Sequence, residues 1–252
     1  MNYLRGAPPY PPQQVERGKD GEGKNQSLDF SRLLRRVNEI TGIERIRFVT
    51  SHPMDISDAM IDAIGELPKV CEYLHFPLQS GSDRVLRRMK RYYTLVRYLE
   101  IVRKMRMKKP GIALSTDIIV GFPGETEEDF QKTVQALKEI QFDMAFLFKY
   151  SVRAGTPAER LGDDVPKAEK ERRHQILLDL QNGITLARNQ ASVGKNVEVL
   201  VEGPSAGNPD CWAGRTRENK LAFFSPGALK PGDLAVMTVR EATAYTLRCE
   251  HP

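Results

Sequence analysis

Residues 114–129, LSTDIIVGFPGETEED, constrain the fold more tightly than any other stretch of this chain. Thr116 and Asp117 lead into the apolar run Ile118, Ile119 and Val120, which predicts a buried strand with a polar pair beside it. Gly121, Pro123 and Gly124 turn the chain sharply, and Thr126 with Asp129 is a capping-box pattern that opens a helix over residues 130–140. Strand, glycine-rich turn and helix start, in that order, are where parallel α/β folds hold their ligands. The same spacing also describes a βα unit with a well-made cap and no ligand.

That texture repeats along the chain. Leu33, Leu34, Val37 and Ile40 fall at helical spacing before Gly42, and residues 45–50 (RIRFVT) predict a strand ending at Ser51, His52 and Pro53. Residues 59–67 predict a helix, 72–78 (EYLHFPL) a strand, 79–82 (QSGS) a tight turn, 112–120 a strand and 144–150 (MAFLFKY) another. Four strands alternating with helices predict a parallel β/α architecture, and right-handed crossovers bring the C-terminal strand ends to one rim. His52, Gln79, Ser80, Asp117, Glu125, Tyr150 and Arg153 fall on that rim. Singly each is an ordinary turn former or anchor; together they predict a ligand mouth.

Residues 84–109 carry eleven Lys and Arg against the single acid Glu100. This field reads equally as the solvated face of two helices or as an RNA-facing patch, and the net charge of +5 is compatible with a polyanionic partner. No run approaches the ~18 apolar residues of a membrane helix and residues 1–10 lack a signal peptide's apolar core, so a soluble cytoplasmic protein is expected. Cys71, Cys211 and Cys249 are too few and too scattered for a disulfide framework or a metal-binding cluster.

Residues 1–27, rich in Pro, Gly and Gln, predict a loop or tail. Residues 28–191 form the β/α part, with Asp164 and Pro166 opening a long connector helix. Residues 192–252 predict a small closed β-barrel of five short strands, in which Arg215, Arg217 and Lys220 are candidate phosphate ligands. Trp212, Phe223 and Phe224 could stack bases or fill its core, and the core is the favoured reading, because a domain this small needs them there.

Taken in order, RIRFVTSHP (45–53), LHFPLQSGSDRVLRRMKR (74–91), LSTDIIVGFPGETEEDF (114–130), FKYSVRAGTPA (148–158), VGKNVEVLVEG (193–203) and GRTRENK (214–220) resemble the MiaB-type methylthiotransferases. These are radical S-adenosylmethionine (SAM) enzymes with a C-terminal TRAM domain. The resemblance implies strands three to six of a partial radical SAM (β/α) barrel, followed by an OB-like TRAM barrel that grips tRNA. It implies a transferase that adds a 2-methylthio group to N6-isopentenyladenosine beside the anticodon, using SAM and two 4Fe-4S clusters. SAM cleavage to a 5′-deoxyadenosyl radical supplies the power to attack an unactivated C–H bond, which side-chain acids and bases lack.

Carried over by position, the resemblance places Gln79 and Ser80 at the SAM ribose and amino acid, and Ile119, Gly121 and Glu125 at the turn shaping the adenine pocket. Tyr150 and Val152 meet the adenine edge, Asp117 points into the same mouth, and Arg153 suits an RNA phosphate. The family's CxxxCxxC motif and its three-cysteine N-terminal domain are absent, and neither cluster can be built from Cys71, Cys211 and Cys249. A C-terminal fragment, a truncated product or one half of a split enzyme is therefore expected, inactive alone, with a separate cysteine-rich polypeptide as a possible partner. The alternatives are a non-catalytic RNA-binding protein, an enzyme for threonylcarbamoyladenosine tRNA or a ribosomal protein, and an ordinary β/α-barrel enzyme.

Overall fold

The computed structural model describes residues 29–49, 52–205 and 207–252. The predicted tail and the end of the first predicted strand, Thr50 and Ser51, lie outside them. Asp29 caps α1 (Phe30–Glu39) by accepting the Arg32 N–H at 2.8 Å, and Ser57 caps α2 (Asp58–Glu66). The sheet that follows has three parallel strands in the order β1 (Tyr73–His75), β2 (Ala113–Val120) and β3 (Met144–Lys149). Between β1 and β2 come α3 (Asp83–Arg88) and α4 (Leu95–Lys108); α5 (Glu127–Ile140) joins β2 to β3. Leu74 pairs with Leu114, and Ile118 with Leu147, which sets the register.

Two predicted strands are reduced. Residues 45–49 make only a parallel bridge between Ile46 and Val70, because Arg45 and Arg47 on either side are drawn to the small barrel. The strand predicted over 72–78 stops at His75; Pro77 has no N–H to give the ladder, and Leu78 donates to the Thr116 hydroxyl at 2.8 Å instead. Pairing resumes as a single bridge from Gln79 to Ile118.

Between sheet and helices lie Leu74, Phe76, Leu78, Leu114, Ile118, Phe130 and Phe142, each fully buried and each worth ~1.5–3 kcal/mol by burial alone. Tyr98 of α4 stacks on Phe76 at 4.3 Å and donates its hydroxyl to the Phe76 carbonyl, so the largest buried ring has its polar end satisfied. Gly81 lets the turn after β1 lie against α5: a Cβ there would sit 2.5 Å from the Lys132 carbonyl oxygen.

After α6 (Lys167–Gln190) come β4 (Asn196–Ser205), β5 (Asn208–Thr216), β6 (Leu221–Phe224), β7 (Leu234–Ala242) and β8 (Thr246–Glu250). They close into a barrel in the order β4-β5-β6-β8-β7. Val199, Val201, Phe224, Met237, Val239 and Leu247 fill it, with Trp212 partly buried against them. The barrel is fastened to the sheet domain by polar contacts. Arg217 pairs with Glu72 at 2.6 Å and donates to the carbonyls of Pro68 and Val70; Arg45 reaches the Glu198 carboxylate and carbonyl, both at 2.8 Å. Asn189 of α6 donates to the Thr243 carbonyl.

Candidate functional site

A cleft of about 1060 Å³ opens at the C-terminal ends of β2 and β3, walled by the turn after β1, α3 and residues 148–161. The backbone that builds it is tightly specified. Gln79 adopts φ 67°, an uncommon conformation for a side-chain-bearing residue, held because its N–H donates to the Asp117 carbonyl and its carbonyl accepts from Ile119. Ser82 caps α3 and also donates to Asp129 at 2.6 Å. Asp129 completes the capping box with Thr126 and pairs with Arg84. Burial works to raise its pKa, but these hydrogen bonds prevail and hold its carboxyl far below the ordinary range.

Gln79, Asp117, Ile119, Tyr150 and Arg153 all line the cleft. Asp117 is held by His75, whose Nε2 lies 3.3 Å from its carboxylate; the other ring nitrogen of His75 meets the Ser115 hydroxyl at 2.8 Å, which in turn meets Tyr73 at 2.7 Å. Tyr150 donates its hydroxyl to the Ala158 carbonyl and packs edge-on against Phe122 at 5.1 Å.

Four further candidates stand outside this lining. Val152 borders an adjoining smaller recess of about 450 Å³. Ser80 is fully buried, its hydroxyl turned to the Ser82 N–H and toward Thr133 of α5. Gly121, at φ +70°, lies against Lys170, whose Cγ would be 2.4 Å from a Cβ there. Glu125 is buried behind the wall, accepting the Gly121 N–H at 2.6 Å and paired with Arg173 at 2.8 Å, with its second oxygen, Oε1, lacking a hydrogen-bond partner. Burial pushes its carboxyl above the ordinary range, against both of those contacts.

None of the barrel candidates is among the residues that line the cleft. Arg217 is engaged in the seam, and Lys220, also there, approaches the Arg188 carbonyl and Asp143 while burial pulls its ammonium below the ordinary range. Arg215 donates to the Asn219 carbonyl at 3.3 Å. The cleft also takes in residues that sequence reasoning left out: Phe122 and Phe148 as aromatic walls, and Lys149 beside them. For Phe148 a signal existed, since Met144, Phe146 and Phe148 alternate along β3 and all three are exposed.

The cysteines are free thiols, Cys71 and Cys249 buried and Cys211 half-buried, and burial pushes the Cys249 thiol up to about 11, away from the thiolate a metal needs. Among the described residues no three of His, Cys, Asp and Glu gather as a metal site, so these donors do not fit an iron–sulfur cluster. No helix of the described residues is long and apolar enough to cross a membrane.

Comparison with known proteins matches residues 22–137 to the Radical SAM superfamily and residues 190–250 to the TRAM domain. Relatives from Alkaliphilus oremlandii, Moorella thermoacetica and Clostridium novyi are 48%, 47% and 47% identical over 230 residues. Each bears the name tRNA-2-methylthio-N(6)-dimethylallyladenosine synthase. The alignments cover 91% of this chain but 49%, 52% and 51% of the relatives, so the chain spans about half the length of the curated proteins it matches.

Proposed function

We propose that the chain, matching the Radical SAM superfamily over residues 22–137 and the TRAM domain over 190–250, serves in tRNA modification, as the SAM-binding and RNA-binding part of a methylthiotransferase acting on N6-dimethylallyladenosine. The cleft carries this reading. It joins hydrogen-bonding groups, Gln79 and Asp117, to flat apolar walls, Phe122, Phe148 and Tyr150, and that is the mixture a nucleoside such as the adenosyl half of SAM needs. SAM would supply the radical chemistry that no side chain here can supply, once an iron–sulfur cluster held outside the described residues delivered the electron that cleaves it. The chain's own residues bind and orient: Asp117, fixed by His75, accepts hydroxyl donors, while Ile119 and the aromatic walls exclude water.

Cluster ligands are assigned to residues beyond these 252, in a longer chain or a separate polypeptide, and the chain alone is expected to bind without methylthiolating. Residues 28–191 and 192–252 are the working parts of this reading, and its setting is the cytoplasm, where tRNA is modified. The relatives' shared name favours dimethylallyladenosine over threonylcarbamoyladenosine or a ribosomal protein as the substrate. Nucleoside analysis by mass spectrometry decides the matter. Deletion of the gene is expected to remove the 2-methylthio nucleoside and to leave N6-dimethylallyladenosine in its place; an unchanged nucleoside profile would refute the proposal.

A further inference from the structure

Of the eleven cations of residues 84–109, Arg84 pairs with Asp129, and Arg88 and Arg106 donate to the carbonyls of Pro123 and Ile140; the other eight divide into two populations. On α4 and just after it, acids neutralise them: Arg97 pairs with Glu100 at 3.2 Å, Lys104 with Asp58 at 2.6 Å, Lys108 with Asp62 at 2.7 Å, Arg103 with Glu139 at 3.6 Å and Lys109 with Glu72 at 3.1 Å. That face compensates itself. On α3 and the turn that follows, Arg87, Lys90 and Arg91 have no acidic partner among the described residues, and neither do Lys149 and Arg153 on the lining of the same cleft. Among the described residues the one acid on this lining is Asp117.

Five cations around one opening, held by neither a carboxylate nor a carbonyl of the described residues, repel one another and focus a positive potential into it, a strain that a bound anion relieves. We propose that Arg87, Lys90, Arg91, Lys149 and Arg153 form an arc that seats the phosphates of a single-stranded RNA loop at the cleft mouth. The inference rests on the tRNA reading and assigns the loop contact to the sheet domain. Two observations favour RNA over other polyanions. Open rings stand next to two of the cations in the chain, Tyr92, 73% exposed, following Arg91, and Phe148, 51% exposed and in the lining, preceding Lys149, which is the pairing of charge and stacking surface that unpaired nucleotides use. The cations also ring a concavity, whereas a membrane surface calls for an amphipathic face lying flat. The barrel's Arg217 and Lys220, by contrast, are already engaged in the seam.

The test is fluorescence-anisotropy titration of the full chain with an anticodon stem-loop RNA, over a range of salt. The triple variant R87Q/K90Q/R91Q is expected to bind at least about tenfold more weakly and to flatten the slope of log K against log salt by about 2, since each lost single-strand phosphate contact removes ~0.7. R103Q/K104Q/K108Q on α4 changes net charge equally and is expected to stay within about threefold of wild type. Y92A is expected to weaken binding about tenfold at an unchanged slope. Should the first triple lower the melting temperature, K149Q/R153Q gives the same reading from residues outside α3.

Equal losses from both triples, no loss from the arc variants, or displacement of the loop by polyglutamate as effectively as by RNA would each overturn the assignment. The function reading fails separately. Loss of the methylthio nucleoside on gene deletion, with arc variants that still bind RNA, keeps the function and removes the arc; the opposite pair of results keeps the arc and removes the function.

Discussion

Replacing Gly81 with Ala tests how closely the cleft floor is fitted to α5. The added Cβ would lie 2.5 Å from the Lys132 carbonyl oxygen and 2.6 Å from the Thr133 Cα. Both neighbours are backbone, so no side chain can swing aside, and the turn must recede by about 1 Å to reach ordinary contact distance. Overpacking of this kind costs ~1–3 kcal/mol, and backbone against backbone belongs at the upper end. Receding also stretches the bond from the Gly81 N–H to the Thr133 hydroxyl, now 2.9 Å, for ~1 kcal/mol more. Reduced freedom of the unfolded chain returns ~0.5 kcal/mol, which leaves a net loss of ~3 kcal/mol. Urea unfolding followed by circular dichroism reads this directly: with a slope of ~3 kcal/mol/M the midpoint falls by about 1 M. Gly155→Ala is the control, because a Cβ there meets nothing within 4 Å and only the left-handed φ of +79° is penalised, by ~1 kcal/mol. A Gly81→Ala midpoint no lower than that of the control would refute the packing argument. Since Gln79 stands two residues away, the variant is also expected to loosen binding in the cleft.

Two further outcomes follow from the contacts described. In the seam, R217Q and E72Q are each expected to lower stability by ~2 kcal/mol with a coupling of ~1 kcal/mol in a double-mutant cycle, the pair being only about a fifth exposed; a coupling near zero would show that the ion pair is incidental. Asp129 titrates far below the ~3.9 of a free aspartate, so its stabilisation is fully present above that value and is lost as pH falls below about 4 toward its folded pKa. Stability measured between pH 2 and 7 should therefore fall less steeply on the acid side in D129N than in wild type, and equal acid slopes would exclude Asp129 as a source.

Much of the cleft was legible because its construction is local. Thr126 and Asp129 announce the start of α5, and the apolar run 118–120 announces the strand beneath Asp117. What local pattern cannot convey is which side of a turn faces the cleft. Ser80 and Glu125 sit in turns that border the cleft, yet tertiary packing directs their side chains toward α5 and α6. The apolar segment MAFLFK predicted β3 without revealing that one of its faces stays open, since that depends on what else covers the sheet. Charge was the least legible feature. Eleven cations in one run look alike until the fold sets acids from α2 and α5 beside those of α4 and none beside Arg87, Lys90 and Arg91. The same holds for Arg217 and Lys220, whose engagement depends on residues such as Glu72 and Asp143, distant in sequence.

The seam between barrel and sheet has a thermodynamic consequence of its own. Arg217 and Arg45 each hold a carboxylate and main-chain carbonyls across it, so the two parts meet without a flexible tether. A long ligand that touches both parts then makes its second contact inside a preset frame, at an effective molarity determined by the protein and not by a linker's wandering. Two contacts too weak to persist separately become jointly tight, provided the ligand's own span matches the frame. Selectivity for a ligand of one length and bend thus arises from avidity, without any added recognition of its letters.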